Sequence, residues 1–227
     1  MSRERVLEVA LGVVDAEGLG ALSMRRVAAE LGVEAMALYR YAPSKDSLLD
    51  GLVEMLFIEL HEALAAHSPD AGLRGIEGAV EVTGWREELH RIAREKYRIA
   101  LEHPHVIPLV ATRLLGVPLA QHSEAYLLDQ ERSLELFALA GLNEKRAQTA
   151  YRASNSWVLG FILTELRPMV DNPDEPDPAF RLGLHRLSAQ TLPRLRAGTP
   201  ALAVRAGEKM LIDGLDALID QFAPEAD

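Results

Sequence analysis

The stretch Ser23–Leu49 constrains the fold of this chain more than any other segment. Ser23 is a favourable helix N-cap, because its hydroxyl can accept an unpaired backbone N–H of the first turn. Gly32 stands where that helix would end in a left-handed residue, a conformation that glycine adopts at little cost. A second short helix follows and ends before Pro43, and Ser44 caps a third. The stretch therefore predicts two short helices joined by a tight turn.

The apolar residues of this stretch fit the packing of a helix-turn-helix motif. A small residue, Ala28, falls where the two helices would cross. The positions expected to face inward are Val27, Ala28, Leu31, Val33 and Leu38. In such a motif the second helix, here Glu34–Tyr41, lies in a DNA major groove.

The rest of the chain favours an all-α fold, since Ala, Leu, Glu and Arg are abundant and aromatic residues are sparse. Apolar spacing predicts a first helix, Arg3–Glu17, and later helices over Ser44–Ala66, Trp85–His103, Val106–Gly116, Ser123–Ala140, Glu144–Arg167, residues 179–198 (interrupted near Pro193) and Gly207–Phe222. Residues 67–84 resemble a linker, and residues 171–178 an acidic, proline-rich loop. We expect a helix-turn-helix domain over residues 1–50 and a larger helical domain over residues 51–227.

No apolar run approaches the ~20 residues that span a bilayer, and the N-terminus lacks the apolar core of a signal peptide. The absence of cysteine fits a reducing cytoplasm. His103 and His105 resemble a metal-binding pair, but two histidines without cysteines or carboxylates nearby in the sequence do not suffice for zinc. We therefore expect a cytoplasmic protein with no cofactor and no metal site.

Net charge argues against DNA binding at first sight, because the chain carries a formal charge of −10. Residues 1–50 hold eight acidic residues against six basic ones, namely Arg3, Arg5, Arg25, Arg26, Arg40 and Lys45. Placement matters more than the sum, since phosphate contact depends on which face carries the cations. The last four of these can converge on one surface, which predicts site-specific and salt-sensitive binding.

Residues 3–57 resemble the DNA-binding domain of the tetracycline-repressor (TetR) family of bacterial transcription regulators. The matching stretches are the first amphipathic helix, Ala21–Val33, Ala37–Tyr41 and Lys45–Asp50. The later part is more loosely similar to the regulatory domain of the tetracycline-repressor branch, at Trp85, Leu142–Glu165 and Met210–Leu218. The resemblance implies DNA contacts at Ser23, Met24, Arg25, Ala35, Met36, Ala37, Tyr39, Arg40, Tyr41 and Lys45.

The chemistry of these side chains supports part of that set. Arg25 can bridge a phosphate or pair with guanine, and tyrosine hydroxyls can reach phosphates. Ala35 and Ala37 can touch thymine methyl groups but cannot form hydrogen bonds, so the operator should differ from that of tetracycline repressors. The alternatives are that both tyrosines only pack within the domain, that Arg25 and Arg26 are a solvated pair at a helix start, and that Lys45 is an ordinary surface lysine.

The resemblance also implies a homodimer formed by a four-helix bundle, with two helices from each subunit. The helix Glu144–Arg167 and the last helix are the candidates, although both could instead be buried within one subunit. The expected interface residues are Tyr151, Val158, Ile162, Leu211, Leu215, Leu218 and Phe222.

A pocket for a small ligand is expected among the helices that start near Ser44, Trp85, Val106 and Ser123 and the helix that carries Trp157. The candidate lining residues, each of which could also serve the core, are His61, Trp85, Leu89, Tyr97, His103, Thr112, His122, Tyr126, Asn155, Trp157 and Phe161. The residues by which tetracycline repressors hold the drug do not match here.

The sequence thus favours a repressor that binds a palindromic operator as a homodimer and is released by a small, largely apolar ligand. Two alternatives stay open. The first is an all-α enzyme, although no nucleophile–base pair, carboxylate dyad or phosphate-binding loop is visible. The second is a DNA-binding protein that responds to no ligand, in which the larger domain would lack a cavity.

Overall fold

The structure is a computed structural model, and it describes residues 1–66, 84–114, 116, 118–171, 175–198, 201–202 and 204–222. Every regular element in these ranges is helical, so the expected all-α fold is confirmed. The α-helices are α1 (Arg3–Glu17), α2 (Met24–Leu31), α3 (Ala35–Leu38), α4 (Lys45–Ala66), α5 (Trp85–Glu102), α6 (Ile107–Arg113), α7 (Glu124–Leu139), α8 (Glu144–Asp171), α9 (Pro178–Arg181), α10 (Pro193–Ala197) and α11 (Gly207–Ile219). None of them combines the length and the apolar character that crossing a bilayer requires.

The helix ends in the N-terminal domain are fixed by the capping residues that the sequence indicates. The Ser23 hydroxyl accepts the backbone N–H of Arg26 at 3.1 Å, which starts α2. Gly32 ends α2 with a φ of +67°, in the left-handed region. Ser44 and Ser47 each accept the other's backbone N–H through their hydroxyls, at 3.0 and 3.1 Å, which starts α4.

The second helix of the motif is shorter than predicted. The chain is helical only over Ala35–Leu38, because Glu34 is extended and the chain turns after Leu38. The backbone N–H groups of Tyr41 and Ala42 both donate to the Leu38 carbonyl, which closes this turn. The Leu38 side chain is fully buried and anchors the short helix to the domain.

Helix α4 continues from the motif into the larger domain, where it packs against α5, α6 and α7. Helices α8 and α11 pack closely together because Gly214, which has no side chain, leaves room for the indole ring of Trp157. A Cβ built on Gly214 would stand 2.1 Å from Cζ2 of Trp157. The indole N–H of Trp157 donates to the carbonyl of Leu211 at 2.9 Å.

Helix α11 is also tied to α5 by a polar contact. The Asp216 carboxylate accepts hydrogen bonds from Arg86 at 2.7 Å and from His90 at 2.8 Å. Partial burial alone would raise its pKa, but these two partners hold the pKa of Asp216 below its usual 3.8.

Some helix predictions need correction. Residues 179–198 are not one helix, since they form α9, a 3-10 turn at Leu184–Arg186 and α10. Gly183 interrupts them with a φ of +66°. Helix α8 extends beyond Arg167 to Asp171, and α11 ends at Ile219 instead of Phe222. Most of the predicted linker, residues 67–83, lies outside the described residues.

Candidate functional site

The helix-turn-helix presents an exposed surface, which we call the reading surface: Ser23, Arg25, Met36, Tyr39, Arg40 and Lys45. Met36 is 75% exposed and Tyr39 is 45% exposed, although both have large apolar parts. The other residues expected to contact DNA are only partly exposed. Met24, Ala35 and Tyr41 pack against the core, and Ala37 is half-buried between the exposed Met36 and the fully buried Leu38. These four positions are therefore less available to a partner than the six that form the reading surface.

The six basic side chains of residues 1–50 divide into two equal sets. Arg3, Arg5 and Arg26 are paired with carboxylates of the same chain. Arg25, Arg40 and Lys45 form no ion pair within the part of the chain that the structure describes. All three of these unpaired cations belong to the reading surface.

Arg26 was expected to join that surface, and the structure corrects this expectation. Its guanidinium donates to Glu17 at the end of α1 at 2.7 Å and to Glu30 within α2 at 2.6 Å. The hydrogen bonds to these two carboxylates raise the pKa of Arg26 above its already high value. Arg26 therefore joins α1 to α2, and its charge is already balanced by its own domain.

The larger domain encloses an apolar space, which we call the ligand cavity. It has a volume of about 580 Å³, part of it open to solvent, and lies between α4, α5, α6, α7 and α8. These are the five helices that the sequence indicated. Three polar residues interrupt its wall, namely Lys96, Tyr126 and Asn155. The apolar part of the wall consists of Leu56, Phe57, Leu60, Ile99, Ile107, Val110, Leu114, Val158, Leu159 and Ile162.

Two further spaces adjoin this cavity. An inner recess of about 340 Å³ shares Lys96 and Asn155 with it and reaches Leu215 of α11. An outer mouth of about 910 Å³, which includes open solvent, shares Leu114 and Tyr126 with it and lies between α4, α6 and the start of α7. Through these shared residues the three spaces adjoin in series, and we refer to the series of mouth, cavity and recess as the path.

Four of the eleven predicted ligand residues line this path, namely Leu89, His122, Tyr126 and Asn155. The other seven do not line these three spaces, and a ligand-binding role for them stays a prediction: His61, Trp85, Tyr97, His103, Thr112, Trp157 and Phe161.

Other contacts explain where these seven side chains lie. Trp157 packs over Gly214, and Phe161 lies edge-on to Tyr97 with ring centres 6.0 Å apart. Trp85 packs toward Phe137. The hydroxyl of Thr112, an exposed residue, donates to backbone carbonyls of its own helix. His61 is half-buried on α4, away from the cavity wall.

His103 holds the two domains together. Its Nδ1 lies 2.8 Å from a carboxylate oxygen of Asp15 on α1, and its Nε2 lies 3.2 Å from a carboxylate oxygen of Glu59 on α4. Glu102 lies close enough to complete a group of three side chains with Glu59 and His103. The sequence argument missed Asp15 and Glu59 because they come from distant parts of the chain, and it overlooked Glu102 although this residue directly precedes His103. Arg98 already pairs with both glutamates, at 3.1 Å and 2.7 Å.

The predicted dimer residues also need correction. Tyr151, Val158, Ile162, Leu211 and Leu215 are buried within the single subunit, so their side chains cannot form an intersubunit surface. Only Leu218 and Phe222 of that set remain partly exposed. The apolar stripe of each helix faces its own core, which is the alternative that the sequence left open.

Lys96 is the functional candidate that the sequence reasoning missed. A lysine on the apolar face of α5, next to Ile92, Ala93 and Ala100, is an unusual residue for a core. Its ammonium pairs with Asp129 of α7 at 2.8 Å, and both side chains are largely buried. Its position among apolar residues was the signal that could have identified it.

A polar contact connects the cavity wall to the N-terminal domain. Arg113, at the end of α6, donates to Asp46 at 2.7 Å and to Asp50 at 3.2 Å, both in the first two turns of α4. Its neighbour Leu114 lines both the ligand cavity and the outer mouth. A displacement of α6 would therefore act directly on the start of α4, next to Lys45.

This architecture defines a helical regulatory protein, with an exposed helix-turn-helix joined by one long helix to a domain that contains a cavity. Comparison with known families agrees with it. Residues 6–52 match the tetR family of bacterial regulatory proteins, and residues 78–220 match the tetracyclin repressor-like C-terminal domain. The chain belongs to the tetR family, and the expectation that it is a regulator instead of an enzyme is confirmed.

Individual relatives give the same result. The transcriptional repressor DrrR1 of Streptomyces coeruleorubidus is 33% identical over 73% of this chain. The chain covers 54% of the length of that repressor and 61% of a transcriptional regulator of Saccharopolyspora erythraea. A possible TetR family regulator from Streptomyces coelicolor A3(2) has a similar structure, with 25% identity, a TM-score of 0.74 and coverage of 97% of this chain and 98% of the other. ActR of Streptomyces coelicolor, solved in complex with actinorhodin, has a TM-score of 0.70 at 24% identity, with coverage of 100% and 99%.

Proposed function

We propose that this protein is a transcriptional repressor that binds a palindromic operator as a homodimer and is released by a small, largely apolar ligand. The observation that carries the proposal is that the three unpaired cations of the N-terminal domain all lie on its exposed helix-turn-helix. Residues 1–50 form the DNA-binding part and residues 51–227 the regulatory part. The protein acts in the cytoplasm, where a bacterial operator is found.

The reading surface suits DNA in charge and in shape. Arg25 and Lys45 lie at the start of α2 and of α4, where helix N-termini also favour phosphate. Tyr39 offers a hydroxyl to the backbone, and Arg40 offers a second guanidinium. Met36 and the two alanines of α3 supply apolar contact to thymine methyl groups. The acidic remainder of the chain repels DNA elsewhere and so restricts contact to this surface.

A dimer would use the faces of α8 and α11 that the subunit leaves exposed. On α8 this face is small and nearly flat, with Ser156, Gly160 and Thr164 at four-residue spacing. On α11 it carries Met210, which is 54% exposed, and the partly exposed Leu218. Small residues let two helices approach closely, and a two-fold axis there would bring four helices together. Such a dimer would place its two reading surfaces about one DNA turn apart, ~34–36 Å.

Ligand release follows from the position of the cavity. A ligand between α4, α6 and α8 would displace α6, and Arg113 would pass this displacement to Asp46 and Asp50 of α4. The ligand need only favour the non-binding spacing by ~1–3 kcal/mol to weaken DNA affinity about 5- to 150-fold. That ActR, a protein of similar fold, was solved in complex with actinorhodin supports a small ligand for this chain.

Binding of the full-length protein to the DNA upstream of its own gene tests the proposal. We expect a complex that survives excess unrelated DNA and weakens steeply with salt. Replacing Tyr39 or Arg40 with Ala should weaken it, whereas the exposed Thr149→Ala change on α8 serves as the matched control. A protein that binds this DNA no better than unrelated DNA, or whose binding ignores both changes at the reading surface, would refute the proposal.

A further inference from the structure

A polar cluster that the apolar surroundings do not require lies beside the inner recess, whose wall includes Lys96 and Ser154 but not Asp129. Lys96 of α5 and Asp129 of α7 form an ion pair, and the side chain of Asp129 is only 5% exposed. Ser154 of α8 borders the same recess and is 93% buried, with 7% of its surface exposed. Burying such groups is costly unless every donor and acceptor finds a partner.

Two atoms of this cluster have no hydrogen-bond partner among the described residues. They are Oδ1 of Asp129, whose other oxygen accepts from Lys96, and the hydroxyl of Ser154. By contrast, the hydroxyl of Ser133, one turn further along α7, donates to the Asp129 carbonyl at 3.0 Å. An unpaired carboxylate oxygen can only accept a hydrogen bond, so the missing partner is a donor.

The cluster lies at the inner end of the path from the surface. Lys96 and Asn155 line both the ligand cavity and the inner recess, so the apolar wall of the cavity leads directly to them. On α7, Tyr126 and Ser133 border these spaces at positions three before and four after Asp129, which places the three residues on one face of that helix. An elongated molecule that entered from the mouth would pass its charged and polar rim, then the apolar wall of the cavity, and would meet the polar cluster last.

We propose that the effector is a neutral, mostly apolar alcohol or phenol whose hydroxyl binds at this cluster. The hydroxyl donates to Oδ1 of Asp129 and accepts from the hydroxyl of Ser154, and the apolar body fills the ligand cavity. This inference rests on the proposed function, because it assumes that the cavity holds the effector. The charge of the cluster determines which class of effector fits. The Lys96–Asp129 pair is neutral as a whole, so it favours a neutral ligand. A carboxylate would face the unpaired acidic oxygen, and an ammonium group would face Lys96.

Calorimetric titration of the full-length protein with three matched probes tests the inference: 2-naphthol, 2-methylnaphthalene and 2-naphthoate. The probes share one apolar body and differ in carrying a hydroxyl, a methyl or a carboxylate. We expect 2-naphthol to bind about 10-fold more tightly than 2-methylnaphthalene, the effect of one hydrogen bond to a buried charged group. We expect 2-naphthoate to bind most weakly of the three.

Two variants and a control assign the preference to the cluster. Ser154→Ala should reduce the preference for the hydroxyl to about 3-fold or less, since one of its two hydrogen bonds is lost. Asp129→Asn replaces the carboxylate acceptor with an amide and should also reduce the preference for the hydroxyl to about 3-fold or less. Thr149→Ala, an exposed change on the same helix as Ser154, should leave the preference intact.

Three outcomes would overturn the inference: equal or tighter binding of 2-methylnaphthalene, tightest binding of 2-naphthoate, or no binding of any probe. These titrations contain no DNA, so they can fail while the upstream-DNA experiment succeeds, and the two proposals are judged separately.

Discussion

Arg25 and Arg26 are neighbours in the sequence and at the start of one helix, yet the structure gives them opposite roles. Arg25 forms no ion pair with the described residues, whereas Arg26 is held by Glu17 and Glu30. We therefore expect Arg25→Met to weaken DNA binding by removing a phosphate contact. The matched change Arg26→Met should leave DNA binding nearly unchanged, because its charge is already balanced within the domain.

The size of the difference follows from counterion release. Each phosphate that a protein neutralises contributes about −0.9 to the slope of log affinity against log salt concentration. A dimer carries two copies of Arg25, so Arg25→Met should make the slope shallower by about 1.8. Between about 50 and 200 mM salt, the wild-type protein should thus lose about 12-fold more affinity than the variant. Arg26→Met should retain the wild-type slope and lose little stability, since its two ion pairs lie at the surface.

Fluorescence anisotropy with labelled upstream DNA at four or five salt concentrations would measure both slopes. Thermal unfolding of each variant, followed by circular dichroism, checks that the fold is retained. Equal slopes for the two variants, or a wild-type slope in Arg25→Met, would contradict the assignment of Arg25 to a phosphate.

Three further predictions concern the larger domain. Gly214→Ala should destabilise the protein by about 2–4 kcal/mol in chemical denaturation, because the added Cβ would displace the Trp157 ring and break its hydrogen bond to the Leu211 carbonyl. The control is Gly12→Ala, where the added Cβ meets open space, and it should be neutral or stabilising. Asp216→Asn should lower the unfolding free energy by about 1 kcal/mol at neutral pH. The contribution of this carboxylate to stability is present above pH 3.8 and is lost as the pH falls through its lowered pKa. The unfolding free energies of variant and wild type should therefore converge in acid. Gly160→Arg should convert a dimer into a folded monomer in light scattering, and a monomeric wild type would contradict the proposed interface.

The motif could be predicted almost completely from the sequence because local chemistry determines it. A serine hydroxyl caps α2, a left-handed glycine ends it and paired serines start α4, and each of these effects acts within a few residues. The length of α3 was less predictable. Whether the chain continues as a helix past Leu38 depends on how that side chain is buried, which is a property of the whole domain.

Much of the candidate site could not be predicted, for two physical reasons. An apolar stripe shows that a helix face is covered, but not whether the same subunit or a partner covers it. Leu211 and Leu215 were therefore assigned to an interface although they lie in the core. Ligand residues were chosen by chemical type, and aromatic side chains such as Trp157 and Phe161 proved to pack against each other, with ring centres 5.8 Å apart. The wall of the cavity is mostly aliphatic, and nothing in the sequence distinguishes aliphatic cavity residues from core residues.

Helix α4, which crosses the boundary between the two domains, explains how a small effector could control DNA binding. Helix α4 contributes Lys45 to the reading surface, receives Arg113 of α6 in its first two turns and lines the ligand cavity with Leu56 and Leu60. One rigid element thus takes part in DNA contact, interdomain contact and the cavity wall. A helix rises about 1.5 Å per residue, so the ~15 residues between Lys45 and Leu60 span about 22 Å. Over such a lever a small rotation imposed at the cavity would become a larger displacement at the DNA. In the proposed dimer, two reading surfaces one DNA turn apart would tolerate little displacement.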